Sequence, residues 1–199
     1  NGLDLDDAAV ARLKAMNIAC VQISIDGKSS VVHERLRPGS GYQPAWDALD
    51  RLVKRGLEPE LVFIPTKLNV QDAVSVYEQA AARGIRTFVT GPMMRLGRAA
   101  HAWDSLACSD AVWSEAVMGL KAAAAARKGP RLAIYPWGIE QELKTRVESP
   151  QSMVLVVPNG RAKLLNALPF AVADLKTESL KSAWPKVGAA WKSREVQDF

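Results

Sequence analysis

Two cysteines in 199 residues exclude most of what cysteine does in proteins. Cys20 and Cys108 are too few and too far apart for a disulfide framework or a metal knuckle. Each reads as a small buried apolar residue, and cysteine usage points to the cytoplasm. Histidine is equally scarce, with only His33 and His101. No apolar run is long enough to cross a bilayer, and no charged-then-apolar signal segment opens the chain. The net charge of +5 comes without blocks of one sign: residues 1–100 carry 13 basic and 11 acidic side chains, residues 151–199 carry 7 and 4. That spread argues against a nucleic-acid partner and against a membrane partner. Internal repeats, a glycine-rich phosphate loop, a nucleophile–base pair and an acid–base pair are missing as well.

What remains is ordinary globular composition, 48% hydrophobic and 24% charged, with length for one or two domains. Asp4 and Asp6 offer N-caps to a helix at 4–16. A strand at 20–25 follows, then Gly39-Ser-Gly41 and a helix at 44–55 in which Trp46, Leu49, Leu52 and Val53 recur at helical spacing. Gly56 sits where a helix stops. The same rhythm repeats with a strand at 60–64, a loop through Thr66, a helix at 70–83 capped by Asn69 with Val70, Val74, Tyr77 and Ala81 as its buried stripe, and a strand at 85–90. Helix, strand, helix, strand with short connections predicts parallel strands joined by right-handed crossovers. A long loop at 91–108, an alanine-rich helix at 109–127 and a strand at 131–135 continue it. The pattern then changes. Residues 153–157 and 162–165 flank Pro158-Asn-Gly160 as a hairpin, and a last helix at 177–192 is expected to be interrupted near Pro185. These elements place a boundary near 150, with domains at 1–150 and 151–199.

Val21-Gln-Ile-Ser-Ile-Asp-Gly27 carries the first site signal. An apolar alternating run ends in Ser24, Asp26 and Gly27, so polar groups stand at the carboxyl end of a strand, where parallel sheets bind ligands. Ser24 and Asp26 share a face, and a glycine there lets backbone approach a ligand. His33, Arg35 and Arg37 follow. Read as packing, Ser24 and Asp26 cap the strand end, Arg37 closes a loop, and His33 and His101 are structural hydrogen-bonders.

Taken in order, Asn1-Gly2, residues 21–27 with His33, Arg35 and Arg37, residues 56–60, Thr66-Lys67-Leu68-Asn69 and Gly91-Pro-Met-Met-Arg-Leu-Gly-Arg-Ala99 resemble the later strands of the radical SAM partial barrel. Pro158-Asn-Gly160 and Asp174-Leu-Lys-Thr-Glu-Ser-Leu-Lys-Ser-Ala-Trp184 resemble a SPASM or twitch tail, as in the peptide-maturing branch of that superfamily. The resemblance implies an incomplete parallel (β/α) barrel, later strands only, with a small α+β C-terminal extension. It implies S-adenosyl-L-methionine (SAM) and a 4Fe-4S cluster in the intact protein, whose reduction cleaves SAM to a radical that abstracts hydrogen from a peptide substrate. It assigns SAM contacts to Ser24 and Asp26 (ribose), Arg35 (carboxylate), Thr66 and Asn69, and adenine contacts to Met93 and Met94 in the loop of Gly91, Gly97 and Arg98. Trp103, Trp113 and Trp137 are packing residues or line a peptide groove.

Two departures shape the expectation. The three-cysteine motif and the glycine-rich stretch that holds the SAM amino group are not in this sequence, and Lys163-Leu-Leu-Asn166 stands where an auxiliary-cluster cysteine is expected. The chain alone is therefore expected to bind no cofactor and to be inactive, with the N-terminal half of the barrel as its missing partner and self-association as a consequence of the uncovered edge. A non-catalytic peptide-binding or scaffolding module derived from the same fold is the alternative. An enzyme of phosphorylated metabolites would need the phosphate loop that is missing.

Overall fold

The computed structural model describes every residue except Arg127, Trp137, Gln151, Ser152 and Phe199. In chain order the elements are α1 (Asp7–Ala15), β1 (Gln22–Ser24), α2 (Ser30–Leu36), α3 (Tyr42–Lys54), β2 (Glu60–Phe63), a 3-10 turn (Val70–Asp72), α4 (Ala73–Ala82), β3 (Thr87–Thr90), α5 (Arg98–His101), α6 (Trp103–Leu106), α7 (Asp110–Ala126), β4 (Arg131–Ile134), α8 (Ile139–Glu148), β5 (Leu155–Val156), β6 (Arg161–Lys163), β7 (Ala173–Asp174), α9 (Leu180–Ala190) and α10 (Arg194–Gln197). They form two compact units, one of residues 1–93 and 101–136, the other of residues 94–100 and 137–199.

The first unit is α/β. Its four strands are parallel in the order β1-β2-β3-β4, so each connection is a crossover that carries helices. Register places Ile23, Leu61, Phe88 and Leu132 side by side on one face, against the helices. Val10, Trp46, Leu49, Leu52, Val76, Tyr77 and Leu120 complete that core. Phe88 lies at its centre, 6.1 Å from the Phe63 ring and 5.5 Å from that of Tyr77. The Trp46 ring lies under the Arg83 guanidinium at 4.7 Å. The opposite face carries Ser24, Val62, Val89 and Ala133 in register. All but Val89 are only half-buried there.

Local chemistry explains most boundaries. Asp6 caps α1 by accepting from the Ala9 amide at 2.7 Å. Three elements depart from the sequence expectation. Residues 30–36, assigned no element, form α2, too short for periodicity to declare itself. The second crossover, from β2 to β3, opens with a 3-10 turn, which shifts the phase of α4, so its buried stripe is Ala73, Val76, Tyr77 and Ala80. The stretch 91–108 holds the short helices α5 and α6.

The second unit contains the expected hairpin, β5 with β6, and a third strand, β7, paired antiparallel to β6. A two-residue strand leaves no readable alternation, which is why sequence alone missed it. Leu164, Leu165, Leu168, Val187, Trp191 and Val196 form its core. Pro185 lies inside α9 and does not interrupt it. Ser179 caps that helix through the Ser182 amide, and Pro185 six residues later costs only one intrahelical bond.

Candidate functional site

The carboxyl ends of β1 and β2 are tied together by a buried polar network. Asp26, 5% exposed, takes the Ile64 amide on one carboxylate oxygen at 3.2 Å and the Arg37 guanidinium on the other. Its own amide donates to His33 Nδ1 at 3.0 Å. That bond fixes the tautomer: the proton sits on Nε2, which donates to the Ser40 hydroxyl at 2.8 Å. His33 is fully buried. Burial is the largest influence on it and pushes its pKa below the ordinary value, against the pull of the Asp26 carboxylate.

Asn69 performs the same service one strand over. It does not cap the following helix. Its side-chain oxygen accepts from the Thr66 amide at 2.6 Å and the Thr66 hydroxyl at 2.9 Å. Its amide nitrogen donates to the carbonyls of Asp26 at 3.1 Å and Ile64 at 3.0 Å. All four hydrogen-bonding positions of one amide are thus used to join two strand ends. The helix starts instead on the 3-10 turn, whose Asp72 accepts from the Lys28 amide at 3.1 Å.

Two glycines are required by close approach within the chain. A Cβ on Gly27 would lie 2.8 Å from both the His33 nitrogen and Val32 Cβ, so the backbone that nears Gly27 is the chain's own α2. A Cβ on Gly91 would lie 2.8 Å from Tyr135 Cβ, which lets the ends of β3 and β4 converge.

The residues singled out from sequence therefore differ in what they have left to offer. Asp26, Thr66 and Asn69 are brought together and engaged with one another. Ser24, half-buried beside them on β1, has no hydrogen-bond partner among the described residues. Arg35 is exposed on α2, unpaired among the described residues, while Arg37 closes onto Asp26. Met93 is half-buried in the first unit, and Met94, also half-buried, belongs to the second. Gly97 has φ +51° and precedes the exposed Arg98 that starts α5. Trp103 and Trp113 are half-buried, His101 is exposed, and Trp137 lies outside the described residues. The sequence reading missed Ser40 and Ile64, whose roles are made by the fold; no motif advertises them.

Among the described residues no three His, Cys, Asp or Glu side chains converge to hold a metal ion. Cys20 is exposed, not buried as expected, because it precedes the edge strand β1; partial desolvation and then the neighbouring Glu60 carboxylate raise its pKa. Cys108 is half-buried just before α7. Among the described residues no helix is long and apolar enough to cross a membrane.

No protein-family model matches the chain. It is similar to the sporulation killing factor maturation protein SkfB of Bacillus subtilis, 28% identical over 142 residues, which is 71% of this chain and 34% of the relative. It is also similar to the mycofactocin maturase MftC of Mycolicibacterium smegmatis, 30% identical over 107 residues, 53% of this chain and 27% of the relative. The chain thus spans about a third of the length of the curated relatives it matches.

Proposed function

We propose that this chain is the SAM-binding and substrate-facing part of a radical SAM enzyme that modifies a peptide. The observation that carries the reading is similarity to two proteins named for maturation, SkfB and MftC. The all-parallel sheet supports it, because ligands of such sheets lie at the carboxyl ends of the strands. In this reading the four strands are part of a partial barrel and the second unit is a SPASM- or twitch-like extension. The half-buried, unpartnered Ser24 hydroxyl suits a ribose hydroxyl, and the free Arg35 guanidinium suits the methionine carboxylate of SAM. Asp26, Thr66 and Asn69 hold the strand ends in place, and Met93 and Met94 offer polarizable surface to adenine. No group of described residues suits the cluster, so in this reading its ligands belong to other parts of the protein, and the peptide partner meets a site completed by those parts.

A second reading, a non-catalytic peptide-binding module of the same descent, is favoured by one observation: most of the strand-end polar network is satisfied internally. Anaerobic assay of the full natural polypeptide containing this chain separates the two. Formation of 5′-deoxyadenosine from SAM, weakened about tenfold or more by Ser24→Ala with Arg35→Ala, is expected for the enzyme. A folded polypeptide that neither binds nor cleaves SAM sinks that reading and leaves the binding module.

A further inference from the structure

The outward face of α9 is built from residues that helix stability alone does not explain. Lys181, Trp184, Pro185 and Gly188 recur at three- and four-residue steps on one side of the helix, and Trp191, partly turned to the core, and Lys192 continue the series on the turn at its end. With Pro150 and Val187, five of the six (all but Lys181) line a groove of about 400 Å³ within the second unit. Trp184 is 44% exposed, a large apolar ring left in water. Gly188 costs the helix about 1 kcal/mol relative to alanine. Nothing lies within 4 Å of where its Cβ would be, so no neighbour in the chain requires a glycine. Pro185 has no amide hydrogen, which deprives the Lys181 carbonyl of its intrahelical donor. Trp191 is 3% exposed, and its indole N–H has no acceptor among the described residues. Lys181 and Lys192 carry no ion pair among the described residues, unlike Lys186, which Glu178 holds.

We propose that this face docks an extended peptide segment with prolines or leucines at its centre and carboxylates at its ends. The helix rises about 14 Å from Lys181 to Ala190, and Lys192 lies on the turn just beyond, so the two lysines bracket the span of about five extended residues at roughly 3.1 Å each. Aromatic rings beside an open glycine take proline or leucine side chains, as aromatic-lined grooves do. The Trp184 N–H, without a partner among the described residues, is available to a peptide carbonyl. The unpaired lysines at the two ends select carboxylates. This deepens the peptide-maturase reading and rests on it for the partner's class.

The test is fluorescence anisotropy with a synthetic fluorescein-labelled peptide, a short Pro-Leu core flanked by glutamates, titrated with this chain. Binding is expected, weakening with added salt, and about tenfold weaker for the same core flanked by lysines. Gly188→Leu fills the groove with a better helix former. It is expected to abolish binding while the unfolding midpoint holds or rises, so loss of binding cannot be loss of fold. Equal binding of the lysine-flanked peptide, undiminished binding by Gly188→Leu, or no binding at all overturns the proposal. A mass that doubles with concentration and returns to that of one chain in Gly188→Leu, or a Trp184 already shielded in the full natural polypeptide, overturns it too, by giving the groove to a second copy or to another segment; association that Gly188→Leu leaves intact belongs to the sheet edge of the first unit. If SAM is cleaved but the peptide does not bind, the groove falls and the maturase reading stands; the reverse result separates them the other way.

Discussion

The two compact units spend their polar groups differently. In the first, Asp26, Thr66, Asn69 and His33 are buried and hydrogen-bonded inside the chain. In the second, the outward side of α9 and the turn after it leave Lys181 and Lys192 without an ion pair among the described residues and Trp184 in solvent. A network satisfied from within fixes strand ends in one arrangement. A face left unsatisfied is available to something else. The contrast makes the first unit a frame whose strand-end polar groups are mostly engaged, with the Ser24 and Thr90 hydroxyls left without a partner among the described residues, and the second a surface.

Phe88→Ala tests the frame most severely. The ring is fully buried, stacked on Phe63 and met edge-to-face by Tyr77, so its removal should cost about 3–5 kcal/mol in urea unfolding. Trp184→Ala, an equally drastic truncation on the exposed face, should stay within about 0.5 kcal/mol. Similar losses from the two would erase the distinction between frame and surface.

Asp26→Ala is the next largest effect. It strands the Ile64 amide and the Arg37 guanidinium together. A buried pair broken on one side costs more than this, but Arg37 remains about a third exposed (35%) and recovers water, so about 2–3 kcal/mol is expected. The exposed pair Arg194–Asp198 supplies the contrast: Asp198→Ala should cost about 0–1 kcal/mol. Equal costs would mean that the strand-end network contributes no more than a surface ion pair.

How much of this was legible follows from what each residue interacts with. The parallel sheet could be read because strands 60–64 and 85–90 alternate with long periodic helices, and the registers then follow from burial. Trp46, Leu49 and Leu52 declared a core face by spacing alone. Asn69 was misread because an Asn before a helix has a familiar local use, whereas here its partners Asp26 and Ile64 come from two strands, one of them 43 residues away. Gly27 suggested an approaching ligand, and only the fold reveals that α2 fills the space. The residues assigned to SAM stood out through a resemblance, which says which positions matter but not which atoms are already occupied. Ser24 and Asp26 look alike in sequence; a 38-residue-distant amide and an 11-residue-distant guanidinium make them different.

The smallest expected effect is the most particular to the frame. Burial lowers the His33 pKa below its ordinary 6.5, outweighing the Asp26 and Glu34 carboxylates that favour the charged form, while Arg37 adds to the lowering. A base whose folded pKa is depressed binds fewer protons folded than unfolded. Its stabilising contribution is therefore complete above about pH 6.5 and is lost as the pH falls below that value toward the folded pKa. The loss has a structural meaning: protonating Nδ1 removes the acceptor of the Asp26 amide and places a second N–H where a lone pair is needed. Urea midpoints should accordingly fall between pH 7 and pH 5.5 in the natural chain and fall less in His33→Asn, whose amide accepts and donates without titrating. A proton NMR titration of the His33 ring gives the direct reading: a midpoint above 6.5 would mean that Asp26 governs this histidine, and that the strand-end network is held by charge and not by exclusion of water.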